Sequence, residues 1–375
     1  MSLMDRRQLS QAIKQEAYKL GFDSAGIAPV EKLSGGAYPE WIQRGYQGEM
    51  SYLERNVEKR LDPTLIVPEA QSIVSLAINY FHPGELPYED PSQAVISRYA
   101  WGDDYHDIIK KRLKQLLEAI QALQSGITGR YYVDTGPVLD KYWAVQAGIG
   151  WQGKHTNVLS RSRGSWFFLA EIILDVELEY DDPAQDYCGT CTRCIDACPT
   201  DAIVEPYLLD ARRCVSYLTI ELRRDIPPEF RESMGNLVFG CDICQDVCPW
   251  NSRAVPSNRQ EFAPRPENWT LELRELARMT PEEFSAAFRK SPVKRTKWRG
   301  LMRNVAVALG NTRNESNLDV LEGLLNCEDA MVRRHAAWAI SFIGGASALR
   351  ILHHRLERES DPETREVLYD LTHSR

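Results

Sequence analysis

The sequence predicts three consecutive segments: an α/β domain over residues 1–180, a cysteine-rich domain over residues 181–255 and an all-α repeat domain over residues 256–375. Helical and strand-like patterns alternate in the first segment, which is typical of α/β folds. Eight of the nine cysteines fall within residues 188–248, and a helical pattern recurs every 31 residues near the end of the chain. A chain of 375 residues has room for two to three domains of roughly 150 residues each.

The composition is that of a globular protein. Hydrophobic residues make up 43% of the chain and charged residues 26%, which excludes disorder, collagen and a small disulfide-stapled protein. The formal net charge of −8 argues against a surface that coats nucleic acid as a whole, but it leaves room for a local basic patch.

We expect a cytoplasmic protein. Residues 1–7 carry charges without an apolar core or a cleavage site, so no signal peptide is predicted. The apolar windows near residues 73–81 and 166–174 fall short of the ~20 residues that span a bilayer, and we expect no membrane association. In a reducing compartment, clustered thiols are metal ligands rather than disulfides.

Helix and strand patterns follow one another within the first segment. Apolar residues recur with helical spacing over residues 7–20 and 107–125, and a glycine follows each run. Short runs of β-branched and aromatic residues predict strands over residues 72–79, 130–133 and 167–175.

The cysteine spacing is typical of a bacterial ferredoxin with two clusters. The first run reads CxxCxxCxxxCP and the second CxxCxxxCP, and Cys214 precedes the second run by 27 residues. In such runs three cysteines bind one [4Fe–4S] cluster and the fourth reaches across to the other. The first ligand set is then Cys188, Cys191, Cys194 and Cys248. The second is Cys198, Cys214, Cys241 and Cys244.

Two structural zinc sites are the alternative, since CxxC pairs also bind zinc. The closely stepped first run and the CxxxCP ending of both runs favour iron–sulfur clusters. Two neighbouring clusters pass electrons one at a time. Because a large α/β domain precedes them, we expect that domain to receive the electrons. Cys327 is left over, and we expect it as a buried thiol on a helix of the repeat domain.

Two further cofactor motifs are matched only in part. Residues 148–153 read GIGWQG, but a predicted helix precedes them and no helix start follows, which disfavours dinucleotide binding and leaves close approach to another flat cofactor open. Residues 104–109 approach the DxHxxG pattern, in which histidine ligates the cobalt of cobalamin, but Ile109 replaces the glycine. We therefore interpret His106 as a capping or substrate-side residue.

Asp134 is the candidate acid. It ends a strand that we expect to be buried, and active sites gather at the carboxyl edge of α/β sheets. Partial desolvation there would raise the pKa of its carboxyl group enough for proton donation near neutral pH. An Asx turn or helix cap before Pro137 explains the same motif equally well.

The last segment combines a repeat with a basic stretch. Residues 303–309, 334–340 and 365–371 align, which is typical of HEAT-like solenoids with a partner-binding concave face; three ordinary amphipathic helices are the alternative. Residues 288–303 contain seven basic residues and no acidic one, with Trp298 among them as a candidate stacking platform. We hypothesise that this stretch contacts RNA phosphates, with a solvated charge cluster as the alternative.

Four blocks in order resemble epoxyqueuosine reductase: residues 98–106 (RYAWGDDYH), 134–140 (DTGPVLD), 147–157 (AGIGWQGKHTN) and the double cysteine run. The resemblance covers residues 1 to about 255, and the helical tail is similar to the HEAT-type extension of some members. It implies a fold shared with reductive dehalogenases, two [4Fe–4S] clusters, and a cobalamin that no DxHxxG histidine ligates.

The resemblance also implies a reaction. The family reduces epoxyqueuosine to queuosine at the wobble position of tRNA, the last step of queuosine biosynthesis, with electrons that pass through the clusters to cobalamin. The anticodon stem–loop and an unidentified electron donor are the implied partners, and we expect the chain to act as a monomer. Asp134 matches the position of the family's general acid.

Individual contacts are predicted from the same blocks and from the basic residues. For cobalamin, the candidates are Ser97, Arg98, Asp134, Lys154, His155, Asn157, Val158 and Ser216. For tRNA, they are Arg223, Arg224, Lys294, Arg295, Lys297 and Trp298.

Two other functions remain open on the sequence. A reductive dehalogenase would share the cofactors. Such enzymes are typically exported, whereas no export signal is predicted for this sequence. A ferredoxin-like electron carrier with a protein-docking tail would need neither cobalamin nor Asp134.

Overall fold

A computed structural model describes residues 4–266 and 271–373. In the first segment the helices are α1 (Arg6–Lys19), α2 (Ala37–Gln43), α3 (Val57–Leu61), α4 (Tyr105–Leu123) and α5 (Asp140–Gln146). The strands are β1 (Ser24–Pro29), β2 (Ser72–Asn79), β3 (Gln93–Ile96), β4 (Gly129–Tyr132), β5 (Trp151–Gln152), β6 (Val158–Leu159) and β7 (Phe167–Leu174). The five elements predicted from periodicity are confirmed to within two residues at each end.

Short elements form the cysteine-rich segment, and longer helices follow it. The short elements are α6 (Arg193–Asp196), β8 (Ile203–Glu205), β9 (Leu208–Leu209), α7 (Val215–Ile220), α8 (Pro228–Arg231), β10 (Leu237–Phe239) and α9 (Ile243–Asp246). The final part contains β11 (Leu271–Glu272), α10 (Leu273–Ala277), α11 (Pro281–Ala287), α12 (Lys297–Asn311), α13 (Leu318–Leu325), α14 (Ala330–Ile343), α15 (Gly345–Leu356) and α16 (Pro362–His373). Among the described helices, none is both long and apolar enough to cross a membrane.

The main sheet has the strand order β1-β2-β7-β4, and every neighbouring pair is antiparallel. Helices α1 and α4 pack on one face of this sheet and α5 packs on the other. The expectation of a buried strand before Asp134 is wrong, because β4 is an edge strand and is only half-buried. Asp134 therefore does not lie at the shared carboxyl edge of parallel strands.

A second, smaller sheet joins the three predicted segments. Its central strand β3 pairs in parallel with β10 of the cysteine-rich segment and antiparallel with β11, which precedes the last helices. The predicted boundaries at residues 180 and 255 remain predictions. Across both of them, strand pairing and core packing are continuous.

The helical segment clamps the stretch that follows Cys214. The Arg303 guanidinium is 0% exposed and donates to the carbonyl oxygens of Leu218, Leu222 and Arg224 at 2.6–2.9 Å. His335, also buried, accepts the main-chain N–H of Ile226 at 3.1 Å. Arg303, one of the seven basic residues of the stretch, is therefore structural, because its guanidinium hydrogen-bonds main-chain carbonyl oxygens.

The aligned heptapeptides lie on α12, α14 and α16, with α13 and α15 between them. Cys327 does not lie on a helix, so that expectation is wrong. Helix α13 ends at Leu325, and Asp329 caps the next helix by accepting from the main-chain N–H of Val332. Cys327 is half-buried in the loop between them, and its Sγ lies 3.6 Å from the carbonyl oxygen of Asp329.

We expect Arg303→Met to lower the free energy of unfolding by about 2–4 kcal/mol, because three buried carbonyl groups lose their donors. Denaturant unfolding of the holoprotein measures this change. Lys297→Met on the same helix, at an exposed position, is the matched control and should change the value by less than about 0.5 kcal/mol. Equal losses in the two variants would contradict the clamp.

Candidate active site

Asp134 opens the loop that joins β4 to α5. Its backbone is left-handed, with φ 58°, a conformation that few residues other than glycine adopt. Its carboxylate accepts a hydrogen bond from the Tyr105 hydroxyl at 2.5 Å and lies 3.7 Å from Nε2 of His106. The side chain is 64% exposed, so the carboxylate faces open space rather than the core.

His106 lies between two carboxylates. Asp104 caps α4 and contacts Nδ1 of His106 at 2.8 Å, while Asp134 stands on the Nε2 side. Burial alone would lower the pKa of His106, but the hydrogen bonds and charges of Asp104 and Asp134 outweigh it and raise this pKa to about 9. His106 is therefore protonated at neutral pH.

The expected rise in the pKa of Asp134 is not found. Although the carboxylate is open to solvent, the protein around it desolvates the charged form, which alone would raise this pKa. The hydrogen bonds from His106 and Tyr105, together with the charges of His106 and Arg295, lower it below its usual value. At neutral pH the carboxyl group is ionised, and the proton resides on the neighbouring imidazole. Sequence reasoning missed this because it considered only the strand and not the helix packed beside it.

Arg295, predicted to contact tRNA, lies on the Asp134 side of the molecule. Its guanidinium donates to Glu221 at 2.6 Å and stacks over the Tyr52 ring, 5.7 Å from the ring centre. Its positive charge also acts on Asp134 and Asp104. Burial and nearby Glu221 raise the pKa of Tyr52 to about 12, so this phenol stays protonated.

Lys141 is a site residue that sequence reasoning missed. It lies on α5, and its Nζ donates to Oδ1 of Asn157 at 3.1 Å. Burial lowers the pKa of Lys141, while the charges of Asp134, Cys244 and Cys214 oppose this shift. Its ammonium group is therefore near enough to both the candidate acid and the second thiol set to feel their charges, and its position directly after the block DTGPVLD was the available signal.

The eight cysteines that precede Cys327 form two groups in space. Burial raises the pKa of Cys194, and its thiol neighbours Cys248, Cys188 and Cys191 raise it further. Burial likewise raises the pKa of Cys244, with further contributions from Cys241, Cys214 and Cys198. The structure thus brings together the same two sets of four that the spacing predicts.

In the described part of the chain, no three Cys, His, Asp or Glu side chains converge as they would around one metal ion. Each thiol of a [4Fe–4S] cluster binds a different iron atom, so its ligands need not converge on one point. Cys194 and Cys248 of the first set are buried and the other six thiols are half-buried, while desolvation raises the pKa of Cys241 and Cys244 of the second set well above the usual range. Beside the first set, Gly189, Thr190 and Arg193 are exposed.

Ser97 and Arg98, predicted to contact cobalamin, direct their side chains to the loop of the second thiol set. Asp242 is 1% exposed and accepts from the Ser97 hydroxyl at 2.6 Å and from the main-chain N–H of Arg98 at 2.8 Å. The Arg98 guanidinium reaches Asp246 at 2.7 Å. These contacts hold the segment between Cys241 and Cys244 against the first segment.

The remaining cobalamin candidates fall into two places. The Lys154 Nζ donates to the carbonyl oxygens of Gly189 and Cys191, so this side chain supports the loop of the first thiol set. His155 and Val158 are buried, and Asn157 accepts from Lys141 beside Asp134. Ser216 is half-buried, and its main-chain N–H donates to the Cys214 thiol.

The glycines of residues 148–153 serve backbone packing. A side chain at Gly150 would place its Cβ 2.1 Å from the carbonyl oxygen of Leu159, within the hairpin of β5 and β6. The helix α5 precedes the motif and a strand follows it. This arrangement agrees with the interpretation that the motif is not a dinucleotide-binding turn.

The basic stretch is divided in space. Arg299 pairs with Asp329 at 3.1 Å, and the Trp298 indole N–H donates to the carbonyl oxygen of Met279, beside a groove of about 900 Å³. The exposed basic residues of the stretch are Arg289, Lys290, Lys294, Arg295, Lys297 and Arg299. Arg223 is exposed, and Arg224, 76% exposed, pairs with Glu49.

Two sets of four thiols, together with a carboxylate–imidazolium pair and a nearby lysine, are typical of an iron–sulfur oxidoreductase. A family model described as Epoxyqueuosine reductase QueG, DUF1730, matches residues 60–135. Models of a 4Fe-4S double cluster binding domain and of HEAT repeats match residues 187–251 and 300–371.

Proteins that match this chain over nearly their whole length are epoxyqueuosine reductases. Epoxyqueuosine reductases of Leadbetterella byssophila, Pseudomonas aeruginosa and Escherichia coli are 50%, 45% and 40% identical to this chain. They cover 80%, 91% and 90% of it, and the chain covers 98%, 96% and 90% of each. The chain belongs to the epoxyqueuosine reductase family.

Solved structures agree with this assignment. A crystal structure of epoxyqueuosine reductase with an epoxyqueuosine-modified stem loop of tyrosine tRNA matches with a TM-score of 0.90 and 32% identity, over 97% of this chain and 98% of that one. The Bacillus subtilis enzyme, with its catalytic aspartate loop swung out of the active site, matches to the same extent. The predicted family, enzyme class and two [4Fe–4S] clusters are confirmed.

We expect the His106 ring to titrate near pH 9, because its two flanking carboxylates stabilise the imidazolium. Its resonances in two-dimensional NMR spectra of the cofactor-free chain, assigned with His106→Gln, measure the pKa. Asp104→Asn should shift this pKa toward the usual value of about 6.5, because one carboxylate is removed. Asp107→Asn, an exposed change on the same helix, is the control. A wild-type pKa near 6.5 would refute the arrangement.

Proposed function

We propose that this chain reduces epoxyqueuosine to queuosine in tRNA with Asp134 as the general acid. The observation that carries the proposal is the position of Asp134, which faces open space beside a protonated His106 and acts electrostatically on Lys141. The reaction consumes two electrons and two protons, breaks both carbon–oxygen bonds of the epoxide and releases water. The same aspartate loop is described as catalytic in the Bacillus subtilis enzyme.

We propose that the two sets of four cysteine thiols are the cluster ligands, in the sets that the spacing predicts. Cys188, Cys191, Cys194 and Cys248 would hold one cluster, and Cys198, Cys214, Cys241 and Cys244 would hold the other. The clusters supply electrons singly, and cobalamin, when bound, supplies the two-electron chemistry at the epoxide. The exposed residues near Cys191 are the proposed entry side for an electron donor, which remains unidentified.

The proton for the leaving oxygen is held by the chain itself. His106 keeps a proton 3.7 Å from the Asp134 carboxylate, and the Tyr105 hydroxyl orients the same carboxylate. When bound ligands remove water from around Asp134, its pKa rises, because desolvation disfavours the charged form. The proton then moves from the imidazolium to Asp134, from where it reaches the oxygen atom.

Among the predicted cobalamin contacts, we retain Asn157, which accepts from Lys141, and Ser216, whose main-chain N–H meets the Cys214 thiol, and we add Lys141. The proposed role of Ser97, Arg98 and Lys154 changes. Their side chains bind the cysteine loops, so they position the clusters, and cofactor contacts by these residues would come from main-chain atoms.

For tRNA, the proposed footprint is the exposed part of the basic stretch. Lys294 and Lys297 bracket Arg295, whose charge reaches Asp134, so phosphates bound by these lysines would lie beside the cavity. Arg223 and Arg224 extend the footprint along the stretch that α12 clamps. A tRNA substrate also supports the predicted cytoplasmic location.

We expect Asp134→Ala to lower the single-turnover rate about 10²- to 10⁴-fold, the usual contribution of a general acid. The visible bands of the clusters and cobalamin in anaerobically purified protein should not change. Asp107→Ala, an exposed change on α4, should keep both the rate and the spectrum. An unchanged rate in Asp134→Ala would refute the assignment, and a wild-type protein that takes up no cobalamin would indicate an electron carrier.

We expect Lys294→Glu combined with Lys297→Glu to weaken binding of the anticodon stem–loop and to flatten its salt dependence, by about 0.7–0.9 in the logarithmic slope per lost phosphate contact. Filter binding across a salt series measures both quantities. The matched reversal of Lys110 and Lys111, exposed on α4, should leave them unchanged. Equal losses in the two double variants would contradict a local footprint.

A further inference from the structure

Arg60 joins the Asp134 loop to the segment that precedes α3. It lies on α3 and is 8% exposed. Its Nη1 donates to the carbonyl oxygens of Gly136 and Val138, both at 3.2 Å, and its Nη2 donates to the carbonyl oxygen of Tyr52 at 3.4 Å. We refer to these three contacts as the Arg60 bridge. It connects positions that lie 76 and 78 residues apart in the sequence.

The partners of this buried cation are main-chain oxygens and an aromatic face. The guanidinium carbon lies 6.0 Å from the centre of the Tyr38 ring. Nε of Arg60 is buried and has no hydrogen-bond partner among the described residues. A buried charge is costly unless hydrogen bonds compensate it, so an apolar side chain would serve better where only space has to be filled. A guanidinium group is suited to a bridge, because its donors are held in a rigid planar fork.

The carbonyl groups that Arg60 binds belong to a tightly folded part of the loop. A side chain at Gly136 would place its Cβ 2.1 Å from the Tyr132 ring, so the main chain passes directly over that ring. Pro137 has no N–H to donate, and the Thr135 N–H reaches back to the carbonyl oxygen of Val133 at 2.5 Å. The Arg60 bridge therefore anchors the main chain of the loop from outside the loop.

The other end of the bridge is itself held in place. The Tyr38 hydroxyl donates to the carbonyl oxygen of Leu53, next to Tyr52. The Arg295 guanidinium covers the Tyr52 ring, 5.7 Å from the ring centre. The segment that Arg60 ties to the loop is thus fixed, and it contacts a residue of the proposed tRNA footprint.

The position of the Asp134 carboxylate depends on the loop backbone. Its oxygen accepts from Tyr105 at 2.5 Å and lies 3.7 Å from Nε2 of His106. The φ of Asp134 is 58°, which a residue other than glycine keeps only where its surroundings impose it. A loop without its outside anchor would relax, and the carboxylate would leave both partners.

We propose that Arg60 is a positioning residue for Asp134. Its guanidinium group holds the carbonyl oxygens of Gly136 and Val138, and so keeps the carboxylate of the general acid beside His106. The inference rests on the proposed role of Asp134. Arg60 acts on the reaction through the loop and not by contact with the substrate.

The first test is a double-mutant cycle in the holoenzyme, with saturating epoxyqueuosine-modified stem–loop. Arg60→Met should lower the single-turnover rate about 10- to 100-fold, as expected when hydrogen bonds from a charged group are lost. In an Asp134→Ala background the same substitution should cost less than about twofold, because Arg60 acts through that residue. Arg130→Met removes an exposed arginine from β4 and should keep the wild-type rate. Equal losses in the two backgrounds would overturn the proposal.

The pH profile of the rate gives a second readout. His106 faces Asp104, Tyr105 and Asp134, and its pKa of about 9 depends on both carboxylates. In the wild type the rate should fall as the pH rises through this pKa. In Arg60→Met the carboxylate of Asp134 moves away, so the fall should shift to lower pH. Loss of a positive charge alone would shift it to higher pH, because the imidazolium would be repelled less. A fall that stays in place or shifts upward would contradict the bridge.

The third readout does not depend on the reaction. Hydrogen–deuterium exchange of the holoprotein should be faster in Arg60→Met over the peptide that covers residues 133–143, and unchanged in Arg130→Met. If Asp134→Ala retains its turnover, the general-acid role fails, while faster exchange still supports the bridge. Unchanged exchange in Arg60→Met would refute the bridge even where Asp134 is essential.

A conservative variant keeps the proposal testable if Arg60→Met does not fold, which denaturant unfolding shows. Arg60→Lys keeps the positive charge but offers a single ammonium group in place of the planar fork. Its turnover rate and its exchange over residues 133–143 should lie between those of the wild type and Arg60→Met. Wild-type values of both in Arg60→Lys would refute a role for the fork.

Discussion

The buried Asp242 carboxylate is the contact on which the arrangement of the cofactor ligands depends. It lies between Cys241 and Cys244 and is met by the Ser97 hydroxyl and by Arg98, both at the end of β3. Leaving a buried carboxylate without these partners would cost several kcal/mol, so the loop of the second thiol set cannot separate from the first segment. The pairing of β3 with β10 acts in the same direction.

The helical segment stabilises this arrangement from the opposite side. Arg303 and His335 bind main-chain groups of the stretch between Leu218 and Ile226, and Arg334 pairs with Asp225 at 2.7 Å. The helices that we expect to bind a partner therefore also stabilise the cysteine-rich segment of the same chain. The seven basic residues of the stretch therefore differ in role. The buried Arg303 binds main-chain carbonyl oxygens, whereas exposed residues such as Lys294 and Lys297 are available to phosphates. If the proposed footprint holds the tRNA, folding and substrate binding depend on different residues of one basic segment.

Local signals predicted local features, and contacts between distant residues escaped them. Strand β2 and the two cysteine sets were predictable, because apolar periodicity and ligand spacing are written in neighbouring residues. The partners of Arg98 lie more than 140 positions away, so nothing in its own block shows that its guanidinium binds Asp242 and Asp246. The predicted rise in the pKa of Asp134 was wrong for the same reason. The direction of this shift is set by His106 and Arg295, which come from other elements.

The charge of Asp134 connects the groups on its two sides. His106 on α4 is held protonated partly by this carboxylate, and the pKa of Glu171 in the sheet is raised partly by the same charge. If Asp134 takes up a proton, both neighbours lose an electrostatic contribution that favours their own protonation, so the three sites cannot titrate independently. When the proton moves from His106 to Asp134, the negative charge that favours protonation of Glu171 is therefore lost in the same step. The fold therefore constrains the charge of this carboxylate as closely as its position.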